Sequence, residues 1–157
     1  MSAPETLFDI DGPYATLTFN RPEARNAMTW GMYDALAAAC DQVDADPNVR
    51  VFILRGAGGK AFAAGTDISQ FQSFTEPHHA IEYERRISAI LGRLERVIKP
   101  TIARIEGFAV GAGCGISLTC DLRVATTDST IGIPIAAASR SLVFMPAPDT
   151  IGRTATA

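Results

Sequence analysis

The sequence predicts an α/β fold in which short strands alternate with helices around one core. Three observations carry that expectation. Apolar residues recur at helical spacing in two segments, one following Thr29 and one running from about Pro77 to Val97. β-Branched, alternating runs such as Val49–Arg55 lie between them. Gly- and Pro-containing turns separate the two kinds of segment, and the resulting order is β-β-α-β-α-β-α-β.

Bulk composition fits that class. A chain of 157 residues supports one core, and 47% hydrophobic residues with a net charge of −3 exclude global disorder. The sequence pI near 5.3 and the lack of a dense Lys/Arg block argue against nucleic acid or an anionic membrane as partner. Apolar runs fall short of the ~20 residues a membrane helix needs, and the stretch from Met1 to Thr6 lacks the pattern of a secretory signal. These features favour a cytoplasmic enzyme. Cys40, Cys114 and Cys120 form no CxxC pair, so neither a disulfide framework nor a zinc knuckle is expected. Cys40, on the apolar side of a helical segment, reads as a small buried hydrophobe.

The elements follow in order. Leu7–Ile10 and Ala15–Phe19 are strands joined by the Asp11-Gly12-Pro13 turn. A polar loop spans Asn20 to Asn26. Thr29 then caps a helix whose inward positions are Met32, Leu36, Ala39, Cys40 and Val43, ended by Asp46-Pro47-Asn48. Val49–Arg55 is a buried strand running into Gly56–Lys60, and Ala63–Asp67 is a second loop of small residues. On the long helix, Ile87, Ile90, Leu91, Leu94, Val97 and Ile98 form an apolar stripe; Glu82, Tyr83 and Glu84 read as solvated-face residues. Thr101–Ile105 is a strand, Gly107–Gly115 a glycine-rich turn, Ile116–Cys120 a short helix and Asp121–Ala125 a further strand. Residues 137–157 have weak periodicity and read as a poorly structured tail.

Several motifs fail on physical grounds. Gly56-x-Gly58-x-x-Ala61 follows a strand, but a dinucleotide site needs a helix to open at its glycines, and here another turn arrives instead. A P-loop fails because Ala61 follows Lys60 and Leu54 stands where the first glycine belongs. Adjacent His78 and His79 diverge by about 100° on a helix and do not converge on a metal. Ser69 and Cys114 have no evident base partner.

The turns at Ala64–Asp67 and Gly111–Gly113 are the informative ones. Glycine lets main-chain N–H groups approach a ligand unobstructed. If the two turns face each other, two N–H groups converge on one oxygen, a minimal oxyanion hole in which one donor is worth roughly 3–4 kcal/mol in the transition state. Spacing alone leaves a second reading open: glycines that simply permit tight packing.

Four stretches, in order, resemble the crotonase (enoyl-CoA hydratase/isomerase) superfamily: Asn20–Met28, Lys60–Ile68, Lys99–Ala103 and Gly107–Cys114, the last continuing to Cys120-Asp121. The resemblance implies a ββα spiral core over residues 1–136, an acyl-CoA thioester as substrate with no further cofactor or metal, and a homo-trimer or hexamer. It implies that the N–H groups of Thr66 and Ala112 hold the thioester oxygen as an enolate forms. Ala24, Arg25, Ala27, Ala64, Gly65 and Ile68 correspond to the wall that holds coenzyme A, with Asp67 orienting its loop. Phe108, Gly111, Gly115, Pro134 and Ile135 correspond to the substrate side of the later motifs.

Two departures stand out. Hydratases of this family carry two glutamates that handle water; the matching positions here are Gly115 and Ile135. Neither side chain moves a proton, so the paired-carboxylate route is not expected; Glu82, Glu84 and Tyr83 on the long helix are conceivable substitutes, set against their reading as a solvated face. The chain also stops soon after Gly132-Ile133-Pro134, which implies an incomplete spiral core, a shortened or frame-altered product, and apolar surface left exposed. A catalytically silent acyl-CoA-binding fragment is the contrasting expectation.

Overall fold

A computed structural model describes residues 3–71 and 77–133. The expected tail, Pro134 and Ile135 lie outside the described residues. The strands are β1 (Thr6–Asp11), β2 (Tyr14–Phe19), β3 (Val51–Gly56), β4 (Ala61–Ala64), β5 (Thr101–Ile105), β6 (Phe108–Val110), β7 (Leu122–Ala125) and β8 (Thr130–Gly132). The helices are α1 (Trp30–Ala45), α2 (Pro77–Glu95) and α3 (Ala112–Thr119). Five strands form one sheet in the order β1-β2-β3-β5-β7, and three form a second in the order β4-β6-β8. Only the β1–β2 pair is antiparallel among these ladders.

A repeating unit explains the topology. From β3 onward, a strand of the large sheet is followed by a short strand of the small sheet and then a helix: β3-β4-α2, then β5-β6-α3. This is the expected ββα spiral. Its parallel ladders require crossovers, which the helices supply.

The inner face of the large sheet packs small residues beside large ones. Phe52 lies between Ala15 and Thr101, and Leu54 between Leu17 and Ala103. All are buried. Thr29 caps α1 as expected, its Oγ1 accepting from the Met32 N–H at 3.2 Å. The anticipated inward residues of α1, Cys40 included, are buried. Ion pairs lace α1 to α2: Asp34 to Arg86 at 2.7 Å and Asp41 to Arg93 at 2.7 Å. Both partners advance along the chain together, so the helices run parallel.

Three expectations require correction. Ala63 and Ala64, read as the start of a loop of small residues, end the strand Ala61–Ala64, and Phe108–Val110, read as part of a glycine-rich turn, is a strand beside it, with Thr130–Gly132 next in the small sheet. Helix α3 opens at Ala112 rather than Ile116. Ile98 does not join the apolar stripe: α2 ends at Glu95, and Ile98 is 79% exposed. Bonds from the Arg96 N–H to the Arg93 carbonyl and from the Val97 N–H to that of Leu94 tighten the turn past the helix end.

Candidate active site

The small sheet sets the two turns side by side. Strands β4 and β6 run parallel with Ala64 opposite Val110, so the residues that follow, Gly65-Thr66 and Gly111-Ala112, leave the sheet at the same end. A Cβ built on Gly111 would lie 3.5 Å from the Gly65 Cα, which places the turns in van der Waals contact. Gly65 has φ +99° and Gly111 has φ +55° with ψ −118°, conformations that a side chain disfavours.

Hydrogen bonding then orients Thr66. Met28 donates its N–H to the Gly65 carbonyl at 2.8 Å and accepts from the Asp67 N–H at 2.9 Å. Met28 thus pairs with the groups flanking Thr66, as in a parallel bridge, and the Thr66 N–H is directed to the opposite side. Ala112 is the first residue of α3, so its N–H has no intrahelical acceptor, and the helix dipole favours negative charge there. Neither N–H has a hydrogen-bond acceptor among the described residues.

The glycines divide into two kinds. A Cβ on Gly113 would overlap the Ala63 carbonyl, and one on Gly107 the Lys60 carbonyl. Those glycines serve close packing. Gly65 and Gly111 have ordinary space around them and are distinguished by backbone conformation. Close packing therefore accounts for Gly107 and Gly113, while at Gly65 and Gly111 it is the backbone conformation that calls for glycine.

The loop before α1 is laced to this edge. The Ala64 N–H donates to the Arg25 carbonyl at 3.1 Å. Arg25 and Asn26 both adopt positive φ. Asn26, fully buried, holds them: its Nδ2 donates to the Ala61 carbonyl at 2.7 Å and its Oδ1 accepts from the Arg21 N–H at 2.8 Å. Arg21 donates to the Ala27 carbonyl at 2.7 Å and to the Asp67 carboxylate at 2.9 Å. Asp67 also accepts from the Ser69 hydroxyl and N–H, bonds that hold its carboxyl below the usual range, with Arg21 adding to the effect. Arg25 lies over the Phe108 ring at 5.7 Å. Ala24 belongs to a 3-10 turn, and Ile68, 79% exposed, opens another.

Sequence reasoning missed the hydroxyl cluster. Thr66 Oγ1 lies 2.9 Å from the Tyr33 hydroxyl and 2.7 Å from that of Tyr83. Tyr83 is half-buried rather than solvated, while Glu82 and Glu84 are exposed. A signal was available: Tyr83 stands four residues before Ile87, on the line that continues through Ile90, Leu91 and Leu94. Burial pushes Tyr33 well above the ordinary phenol range, so it stays protonated. Gly115 lies on α3 with Leu91 Cδ1 3.9 Å from where its Cβ would stand, and no carboxylate occupies that place. Among the described residues, no group of three or more His, Cys, Asp or Glu is placed to hold a metal ion, and no helix is long and apolar enough to cross a membrane.

Known proteins resemble this chain in sequence and in fold. A sequence model of the enoyl-CoA hydratase/isomerase family matches residues 14–138. The chain is 35% identical over 139 residues to a short-chain-enoyl-CoA hydratase of Clostridium acetobutylicum, covering 85% of this chain and 51% of that protein. It is 40% identical over 130 residues to an (E)-benzylidenesuccinyl-CoA hydratase of Thauera aromatica, covering 83% and 50%. The crystal structure of an enoyl-CoA hydratase/carnithine racemase from Magnetospirillum magneticum superimposes with a TM-score of 0.81 at 34% identity, covering 91% of this chain and 54% of that one. The chain spans about half the length of the curated relatives it matches. By its sequence and its fold, the chain belongs to the enoyl-CoA hydratase/isomerase (crotonase) family.

Proposed function

We propose that the chain binds an acyl-CoA thioester and stabilises its enolate, with the thioester oxygen held between the N–H groups of Thr66 and Ala112. The observation that carries this reading is the contact between the Gly65 and Gly111 turns at the shared end of β4 and β6. Two N–H donors beside a helix N-terminus are what developing negative charge on an oxygen requires. Arg25, Ala24, Ala27 and Ile68 supply one wall for the coenzyme, and Phe108 and Gly111 bound the acyl side. Pro134 and Ile135 belong to the same acyl side by motif. Asp67, tied to Arg21 and Ser69, fixes the loop that presents Thr66. The substrate is the only coenzyme-bearing partner in this reading, and the assembly is a trimer or hexamer in the cytoplasm.

Titration calorimetry with crotonyl-CoA tests the reading. Saturable micromolar binding, about −8 kcal/mol, supports it. A folded chain that takes up no heat overturns it. A second reading, acyl-CoA binding without turnover, is favoured by one observation: Gly115 stands where the family's hydratases place a carboxylate. Binding without hydration of crotonyl-CoA supports that alternative.

A further inference from the structure

Thr66 joins two halves of a chemical apparatus. Its N–H is one of the two main-chain donors of the proposed site, and its side chain meets the Tyr83 hydroxyl at 2.7 Å. The residue whose N–H would hold the oxygen is thus the one whose side chain meets the Tyr83 phenol. Tyr33 closes the cluster from behind. It is fully buried on α1, and its hydroxyl is 2.9 Å from Thr66 Oγ1. Either oxygen of each pair can donate, and the arrangement in which Tyr33 donates to Thr66 and Thr66 to Tyr83 leaves the Tyr83 proton available to the site. Tyr83 is the half-buried member. Its ring is seated against Trp30 at 5.4 Å and Phe71 at 5.0 Å between centroids, which fixes where its hydroxyl points.

We propose that Tyr83 is the proton donor of this site, delivering its phenolic proton to the α-carbon of the enolate held by the Thr66 and Ala112 N–H groups. The proposal rests on the functional reading above and supplies the proton-transfer group that Gly115 lacks. In the step, the Tyr83 O–H bond breaks and a C–H bond forms from the enolate electron pair, which restores the thioester carbonyl. The phenolate left behind accepts a hydrogen bond from Thr66 Oγ1–H, backed by Tyr33, and takes its next proton from water. A phenol is a far stronger acid than the α-carbon of a thioester, so the transfer runs downhill. Glu82 and Glu84, the neighbouring carboxylates on α2, are exposed.

By microscopic reversibility the same oxygen removes the α-proton in the reverse direction, so exchange into D₂O reads the step directly. Butyryl-CoA is incubated with the full chain and with Tyr83→Phe, which keeps the ring contacts. Deuterium uptake is followed by mass spectrometry, and affinity by calorimetry. The expected result is exchange roughly 10²–10⁴-fold slower in Y83F, with the dissociation constant changed less than about twofold. Unchanged exchange in Y83F overturns the proposal. Parallel loss of binding and exchange also overturns it, leaving Tyr83 a structural clamp. Wild-type binding without any exchange removes the proton donor but leaves the binding reading intact. No wild-type binding overturns the functional reading and the proposal with it.

Discussion

Gly65 and Gly111, 46 positions apart in the chain, touch: the Cβ that Gly111 lacks would sit 3.5 Å from the Gly65 Cα. The parallel pairing of Ala64 with Val110 produces that contact, because two strands that run the same way must leave the sheet at the same edge. A site built this way depends on backbone conformation more than on side chains, and its failures should show the same signature.

Gly111→Ala tests the conformation. At φ +55° and ψ −118° a Cβ is strained although its surroundings are open. The substitution is expected to cost about 1–3 kcal/mol of stability and to weaken thioester binding through displacement of the Ala112 N–H. Urea midpoints and a crotonyl-CoA titration check both effects.

Two other glycines on α3 should respond with opposite signs. At Gly113 an added methyl meets the Ala63 carbonyl, so Gly113→Ala is expected to destabilise by about 1–3 kcal/mol. At Gly115 the nearest atom is Leu91 Cδ1 at 3.9 Å, so Gly115→Ala should stabilise by roughly 0.5–1 kcal/mol through helix propensity. Both values come from denaturant unfolding of paired variants.

The acid limb of stability should involve Asp67. Its bonds to Ser69 and Arg21 favour the carboxylate in the folded chain, so its folded value lies below the unfolded one of about 3.9. Its contribution is present above that unfolded value and is lost as pH falls through the folded value. Asp67→Asn is expected to lose stability at pH 7 but to show a flatter decline between pH 5 and pH 2. A decline as steep as the wild type's would place the acid sensitivity elsewhere.

The alkaline limb should involve buried acids. Burial pushes Cys40 and Cys120 up to about 12 each, and drives Tyr33 upward as well. Above the ordinary thiol value near 8.5 the unfolded chain releases protons that the folded chain keeps, so stability falls with rising pH. A thiol reagent at pH 8 should find all three cysteines unreactive until denaturant is added, since all are buried.

How much the sequence revealed follows from where each signal lives. Helix α1 was readable because its cap and its apolar spacing are local, and β2, β3 and β5 because alternating or β-branched residues mark them. Strands β4, β6 and β8 were not. Ala61–Ala64, Phe108–Val110 and Thr130–Gly132 are short and rich in small residues, and only their mutual pairing makes them strands. The site was half legible. Its glycines announced tight turns, but whether they serve packing or a ligand depended on which residue met a neighbouring carbonyl. The Tyr33–Thr66–Tyr83 cluster joins three segments distant in sequence, and no local pattern encodes the meeting. The inward position of Tyr83, by contrast, was written in the α2 spacing.

The central claim is that the Thr66 and Ala112 N–H groups grip a thioester oxygen. Difference infrared spectroscopy on crotonyl-CoA labelled with ¹³C at the carbonyl measures that grip. Two convergent donors should shift the carbonyl stretch of bound thioester to lower wavenumber than in water, and Gly111→Ala should reduce the shift. A bound thioester whose carbonyl stretch matches the free ligand would contradict the account.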